Sequence, residues 1–165
     1  MVDLVVLQSI SYMAGALGVC VAAIYYIVSL RSQNQTRQAQ LFMQLYSQVS
    51  SNKEFFEHIM QHMMVWQYKD FEDFEAKWGT EANPEENTWW HLDINFLESV
   101  SILVNRGLVP VDLVESWMGF WIIGFWEKYG PYVHEFRVRH NDPRLFIENE
   151  NCYDKVKRHR LKHYS

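Results

Sequence analysis

A chain of 165 residues with a formal net charge of −5 and two cysteines already excludes several classes of protein. The acidic balance argues against nucleic acid as a partner, and two cysteines in dissimilar surroundings give neither a disulfide framework nor a zinc-type pair. Aromatic residues make up 16% of the chain, so one small domain can still bury a sizeable core.

Between Asp3 and Arg31 lie 27 residues without a charged side chain. As a helix they would run about 40 Å, against a hydrocarbon core of about 30 Å. A helix satisfies its own backbone in lipid, so the run predicts a membrane span. "AGA" at 14–16 mimics a signal-peptide cleavage site, but no Lys or Arg precedes the run and apolar residues continue to Leu30. It therefore reads as a retained anchor. Arg31 and Arg37 follow it, and the positive-inside tendency places the N-terminus outside and the rest of the chain in the cytoplasm. Tyr25 and Tyr26 suit an interfacial aromatic belt. Ala14, Gly18 and Ala22 form a small-residue stripe against which a second helix could pack.

Residues 31–50 form the expected helical stalk, polar at first, with Leu41, Phe42, Leu45, Tyr46 and Val49 at helical spacing. The domain proper is expected over 51–165. "SSNKE" predicts a break with Ser51 as N-cap and Glu54 completing a capping box. An amphipathic helix follows through Met64, and a short one over Asp70–Trp78 stops at Gly79. Asn83 and Pro84 open a further helix that reaches Arg106, with Gly107 as its stop. The next helix contains "WMGFWIIGFW", and Gly130-Pro131 is expected to end it. A separate helix over about 131–140 and a last one over Tyr153–Leu161 complete the chain. No alternating strand pattern of useful length occurs. The reading is all-α: one N-terminal transmembrane helix, a helical stalk and a compact cytosolic helical bundle.

Few residues invite a chemical role. His58 and His62 stand at i and i+4 and could share a metal, but Ile59 occupies the place of the glutamate of a zinc-protease motif. A third ligand and the groups behind it are also missing from the local sequence, so no metal site is assigned. Asp93 falls in the middle of the apolar face of its helix, where a carboxylate needs a partner. It is read as a buried acid, either paired with an Arg or His of a neighbouring helix or lining a pocket. His91, Asn95, Glu98 and Asn105 lie opposite, either solvated or in polar contact with another element. Trp117, Phe120, Trp121, Phe125 and Trp126 form a possible interface if part of their helix is exposed. The basic tail over 154–165 could touch anionic headgroups or simply end a helix. No catalytic signature, nucleotide loop or cofactor motif is present.

"RQAQLFMQLYSQVSS", "FEAKWGTEANPEE", "INFLESVSILVNRGLV" and "FWEKYGPYVHEFRVRHNDPRLF" together resemble an uncharacterised family of small prokaryotic membrane proteins. The resemblance implies one N-terminal membrane helix followed by a cytosolic all-helical domain, and carries no activity or catalytic residues. The expectation is a membrane-anchored accessory or scaffolding subunit. Its partners are the bilayer and a protein, or a second copy, bound through the membrane helix or the aromatic helix. A membrane-tethered sensor with a ligand pocket in the helical domain is the alternative.

Overall fold

The computed structural model describes residues 4–164. Its helices are α1 (Leu4–Ser50), α2 (Lys53–Met60), α3 (Phe71–Trp78), α4 (Pro84–Asn105), α5 (Val111–Arg139) and α6 (Ile147–Tyr164), and a π-helical turn, Gln61–Val65, extends α2. There is no strand among the described residues. The chain divides into two compact units, Met1–Gln40 and Leu41–Ser165.

The first unit is helical throughout its described part, and none of its described residues is buried. Large apolar side chains such as Leu7, Ile10, Leu17 and Ile24 are exposed all around it. Among the described residues, α1 is the one helix long and apolar enough to cross a membrane. A uniformly apolar helix has no amphipathic face to bury in a small domain, which is why composition alone identifies it. Gly18 has open space around it.

The second unit is an all-α domain whose core is built from α4, α5 and α6. Trp90, Ile94, Leu97 and Val100 of α4 meet Met118, Ile122, Phe125 and Tyr129 of α5, with Cys152 and Val156 of α6. Leu41, Phe42 and Leu45, in the segment expected as stalk, pack against this core. Phe74 of α3 is wholly buried and touches the rings of Trp66, Trp78, Trp90 and Tyr132. The basic end of the chain is docked on the domain. Arg160 Nε donates to Glu115 Oε1 at 2.8 Å, Lys157 Nζ to Glu127 Oε1 at 2.8 Å, and Lys155 Nζ to the Asn105 carbonyl at 3.2 Å.

Local punctuation follows the chemistry of the caps. Asp70 and Asn83 accept from Asp73 N and Glu86 N, opening α3 and α4, and Gly107 takes a φ of +69° past the end of α4, where a side chain would be strained. Two expectations are corrected. The cap of α2 is Asn52, whose Oδ1 accepts from Phe55 N at 3.0 Å, while Ser51 Oγ bonds back to the Ser47 carbonyl and finishes α1. Nor do Gly130 and Pro131 end a helix: α5 continues through them to Arg139. Proline restricts its predecessor largely through that residue's Cβ, which Gly130 lacks. Tyr129, Gly130, Tyr132 and Val133 are all buried, so tertiary packing holds the helix across the proline. Beyond it, Asn141 and Phe146 take positive φ, and α6 begins at Ile147, earlier than periodicity indicated.

Candidate functional site: a buried histidine–carboxylate centre

The polar centre of the domain is assembled by α2, the π-helical turn and α4. His58 comes from α2, His62 from the π-turn, and Glu86 and Asp93 stand seven residues apart, two turns of one face of α4. His62 and Asp93 are wholly buried, whereas the side chains of His58 and Glu86 keep 20% and 23% of their exposure at the mouth. His62 Nδ1 lies 2.5 Å from Asp93 Oδ2. A histidine that donates through Nδ1 turns the lone pair of Nε2 outward. That Nε2 faces Glu86 Oε2 at 3.5 Å, and His58 Nδ1 faces the same oxygen at 3.8 Å. His58 Nδ1, His62 Nε2 and Glu86 Oε2 are all buried atoms without a hydrogen-bond partner.

The rings are held from outside. Trp89 stacks on His58 with centroids 4.1 Å apart, and Trp66 meets His62 at 4.2 Å with an interplanar angle of 60°. The backbone is held as well. Lys128 Nζ donates to the carbonyls of His62 at 2.7 Å, Met63 at 3.0 Å and Trp66 at 2.6 Å, and Tyr129 donates its hydroxyl to the His62 carbonyl at 2.6 Å. Single π-turns leave carbonyls without helical donors and often mark functional positions; here Lys128 supplies the donors. Burial pushes the Asp93 carboxyl up, against the pull of its hydrogen bond to His62, lowers the Lys128 ammonium and raises the Tyr68 phenol to about 12.

Asp93 thus takes the paired form of the two expected for it, and its partner is the histidine that spacing had singled out. Glu86 was legible only as a first-turn acid of α4. The missed signal is that Glu86 and Asp93 share one face of α4 while His58 and His62 share one face of the segment opposite. On the other face of α4, Glu98 and Asn105 make polar contacts rather than facing solvent. Glu98 accepts from Asn149 N at 2.7 Å and Glu148 N at 3.2 Å, and Asn105 Nδ2 donates to Glu148 Oε2 at 2.6 Å.

A second feature is apolar. Tyr46 and Val49 of α1, Phe56 and Ile59 of α2, and Trp117 and Trp121 of α5 line an open groove of about 460 Å³, with Phe96 of α4. Phe56 and the neighbouring Phe120 keep 45% and 56% exposure. Of the five residues expected as an interface, Phe125 and Trp126 are instead core residues. They point to the side of α5 that meets α4 and α6. Trp117 and Trp121 are half-buried, and Phe120 is exposed.

Fold and centre define an all-α domain that carries a long apolar N-terminal helix and a buried histidine–carboxylate cluster. The chain belongs to the DUF4760 family, a domain of unknown function, whose family model matches residues 13–156. No curated protein and no solved structure matches the chain.

Proposed function

We propose that the chain is a single-pass membrane protein, its N-terminus outside and its helical domain in the cytoplasm. There it serves as an accessory subunit of a membrane-associated assembly, and the groove between α2 and α5 receives an apolar helix of a membrane-embedded partner. One observation carries this reading: aromatic side chains that an isolated soluble domain would bury, Phe56 and Phe120 above all, stay exposed beside half-buried Trp117 and Trp121. The walls of the groove are helices, and ridges of another helix fit between such walls. Its largely aromatic and aliphatic lining, in which Ser50, Asn52 and Lys53 are the non-aromatic polar residues, suits a partner drawn from the same membrane. The stripe of Ala14, Gly18 and Ala22 would add close packing between membrane helices.

The test is extraction of the full chain from its own membranes in mild detergent, followed by native mass spectrometry. A complex of defined composition with another membrane protein is expected, lost in Phe56→Glu and weakened in Gly18→Leu. A wild-type monomer or homodimer overturns the reading. Proteinase K added to intact cells should leave the helical domain uncut; digestion of the domain would overturn the orientation.

The alternative of a membrane-tethered sensor relied on Asp93 as a lone acid in a pocket, and its pairing with His62 removes that support. What favours a sensor now is the convergence of three unpartnered atoms at the mouth of the centre.

A further inference from the structure

We propose that His58, His62 and Glu86 form a three-ligand site for a divalent transition-metal cation, with Asp93 as the residue that positions His62. This assignment is independent of the docking reading above. Nδ1 of His58, Nε2 of His62 and one oxygen of Glu86 lie within 4.8 Å of one another. Zinc–ligand distances of about 2.0–2.1 Å place tetrahedral ligand atoms about 3.3 Å apart. The two separations to Glu86, 3.5 Å and 3.8 Å, are close to that value, and the two histidine nitrogens, within 4.8 Å of one another, would draw together on a shared cation.

Four further observations point to a cation. All three atoms are buried and lack any hydrogen-bond partner, a costly arrangement for groups that water would otherwise satisfy. The three face one another: with Nδ1 of His62 donating to Asp93 its Nε2 offers a lone pair, Glu86 Oε2 is an acceptor, and His58 Nδ1 offers a lone pair in its Nε2–H tautomer. Asp93 behind His62 completes the carboxylate–histidine pair that fixes the tautomer and raises the basicity of metal-bound histidines. Finally, Glu86 and Asp93 bring two carboxylates to one side of the histidines, more acidic groups than the neighbouring Lys128 ammonium, which is engaged with backbone carbonyls, can balance.

Two imidazoles and one carboxylate select late first-row divalent ions over calcium or magnesium, which prefer all-oxygen sites. Three protein ligands leave a coordination position open toward the mouth, where His58 and Glu86 are partly exposed. That is the pattern of a site whose metal exchanges or binds a further group, rather than one closed for structure alone. The cation would clip α2 and its π-turn to the first turn of α4.

The test uses the full chain, purified in detergent without a histidine tag, stripped with chelator and then equilibrated with Zn2+. Metal content and isothermal titration are expected to give one equivalent per chain, and cobalt substitution a visible d–d spectrum of low-symmetry Co2+. Glu86→Gln preserves the side-chain volume and should lose the bound equivalent while keeping the wild-type circular dichroism. His58→Ala, at a partly exposed position, should do the same. Asp93→Asn should weaken affinity by about 10–100-fold without abolishing binding, the usual effect of removing a group behind a ligand. A double variant of the tail histidines, His159→Ala with His163→Ala, should retain the equivalent. Folded wild type that takes up no Zn2+, Co2+ or Fe2+ overturns the assignment. So does Zn2+ bound equally by wild type and Glu86→Gln, or lost with the tail histidines.

Discussion

Lys128 makes three charge-assisted contacts with one short stretch of backbone, the carbonyls of His62, Met63 and Trp66. These are the acceptors that a helix ending in a π-turn leaves without partners. Hydrogen bonds to a charged group contribute about 1.5–3 kcal/mol, and stranding buried acceptors costs more than the bonds themselves. Lys128→Met is therefore expected to destabilise the domain by about 2–3 kcal/mol, lowering the thermal midpoint by roughly 5–10 °C for a chain of this size. An unchanged melting curve would show that Lys128 is not what holds the π-turn. The same residue scale explains why Asp93 could be found from sequence and Glu86 could not. A carboxylate on an apolar helical face is conspicuous, whereas an acid in a first helical turn has an ordinary reason to be there.

At the scale of elements, two arrangements depend on residues outside the helix they serve. The N-terminus of α6 is capped from α4, since Glu98 accepts from the backbone N–H groups of Glu148 and Asn149. Burial pushes the Glu98 carboxyl up despite those bonds. A raised carboxyl binds its proton more tightly in the folded state. Its contribution to stability is thus fullest below the ordinary glutamate range and is lost as pH rises through the raised value. Glu98→Gln removes this titration, so its midpoint should fall less than that of wild type as pH is raised across that interval. Parallel slopes for the two proteins would overturn the argument.

The second arrangement is the passage of α5 across Pro131. A Cβ on Gly130 would stand 3.3 Å from Trp126 Nε1 and precede the proline ring. Trp126 cannot easily yield, because its ring is buried and faced by Arg137, His134 and Tyr153. Alanine normally stabilises a helix interior by about 0.5–1 kcal/mol relative to glycine. Gly130→Ala is expected to reverse that sign and lower the midpoint measured by circular dichroism. A higher midpoint would show that α5 tolerates a side chain there.

At the scale of the molecule, the aromatic run of α5 serves two surfaces at once. Phe125 is wholly buried in the core, and Phe120 on the same helix is 56% exposed. Phe125→Ala should cost about 3–5 kcal/mol, as deletion of a buried ring does. Phe120→Ser should stay within about 0.5 kcal/mol of wild type. Equal losses at both positions, read from chemical denaturation of the full chain in detergent, would show that the exposed side of α5 is structural rather than available to a partner.

What the amino-acid order determined by itself was whatever rests on local physics. An uncharged run of 27 residues marks α1 as apolar over a membrane's width. Asp70, Asn83, Pro84 and Gly107 mark helix ends because caps and positive φ depend on the residue in place and its near neighbours. The absence of alternating patterns makes the domain all-α. Tertiary structure decided the rest. It carried α5 through Pro131, divided the aromatic run between core and surface, and turned Glu98 and Asn105 toward α6. It also brought Glu86 to His58 and His62, and Asp93 to His62, across 31 residues of chain in the last pair. The reason is common to all four: each depends on which helix lies opposite, and helical periodicity fixes the face a residue occupies but not the element that face will meet.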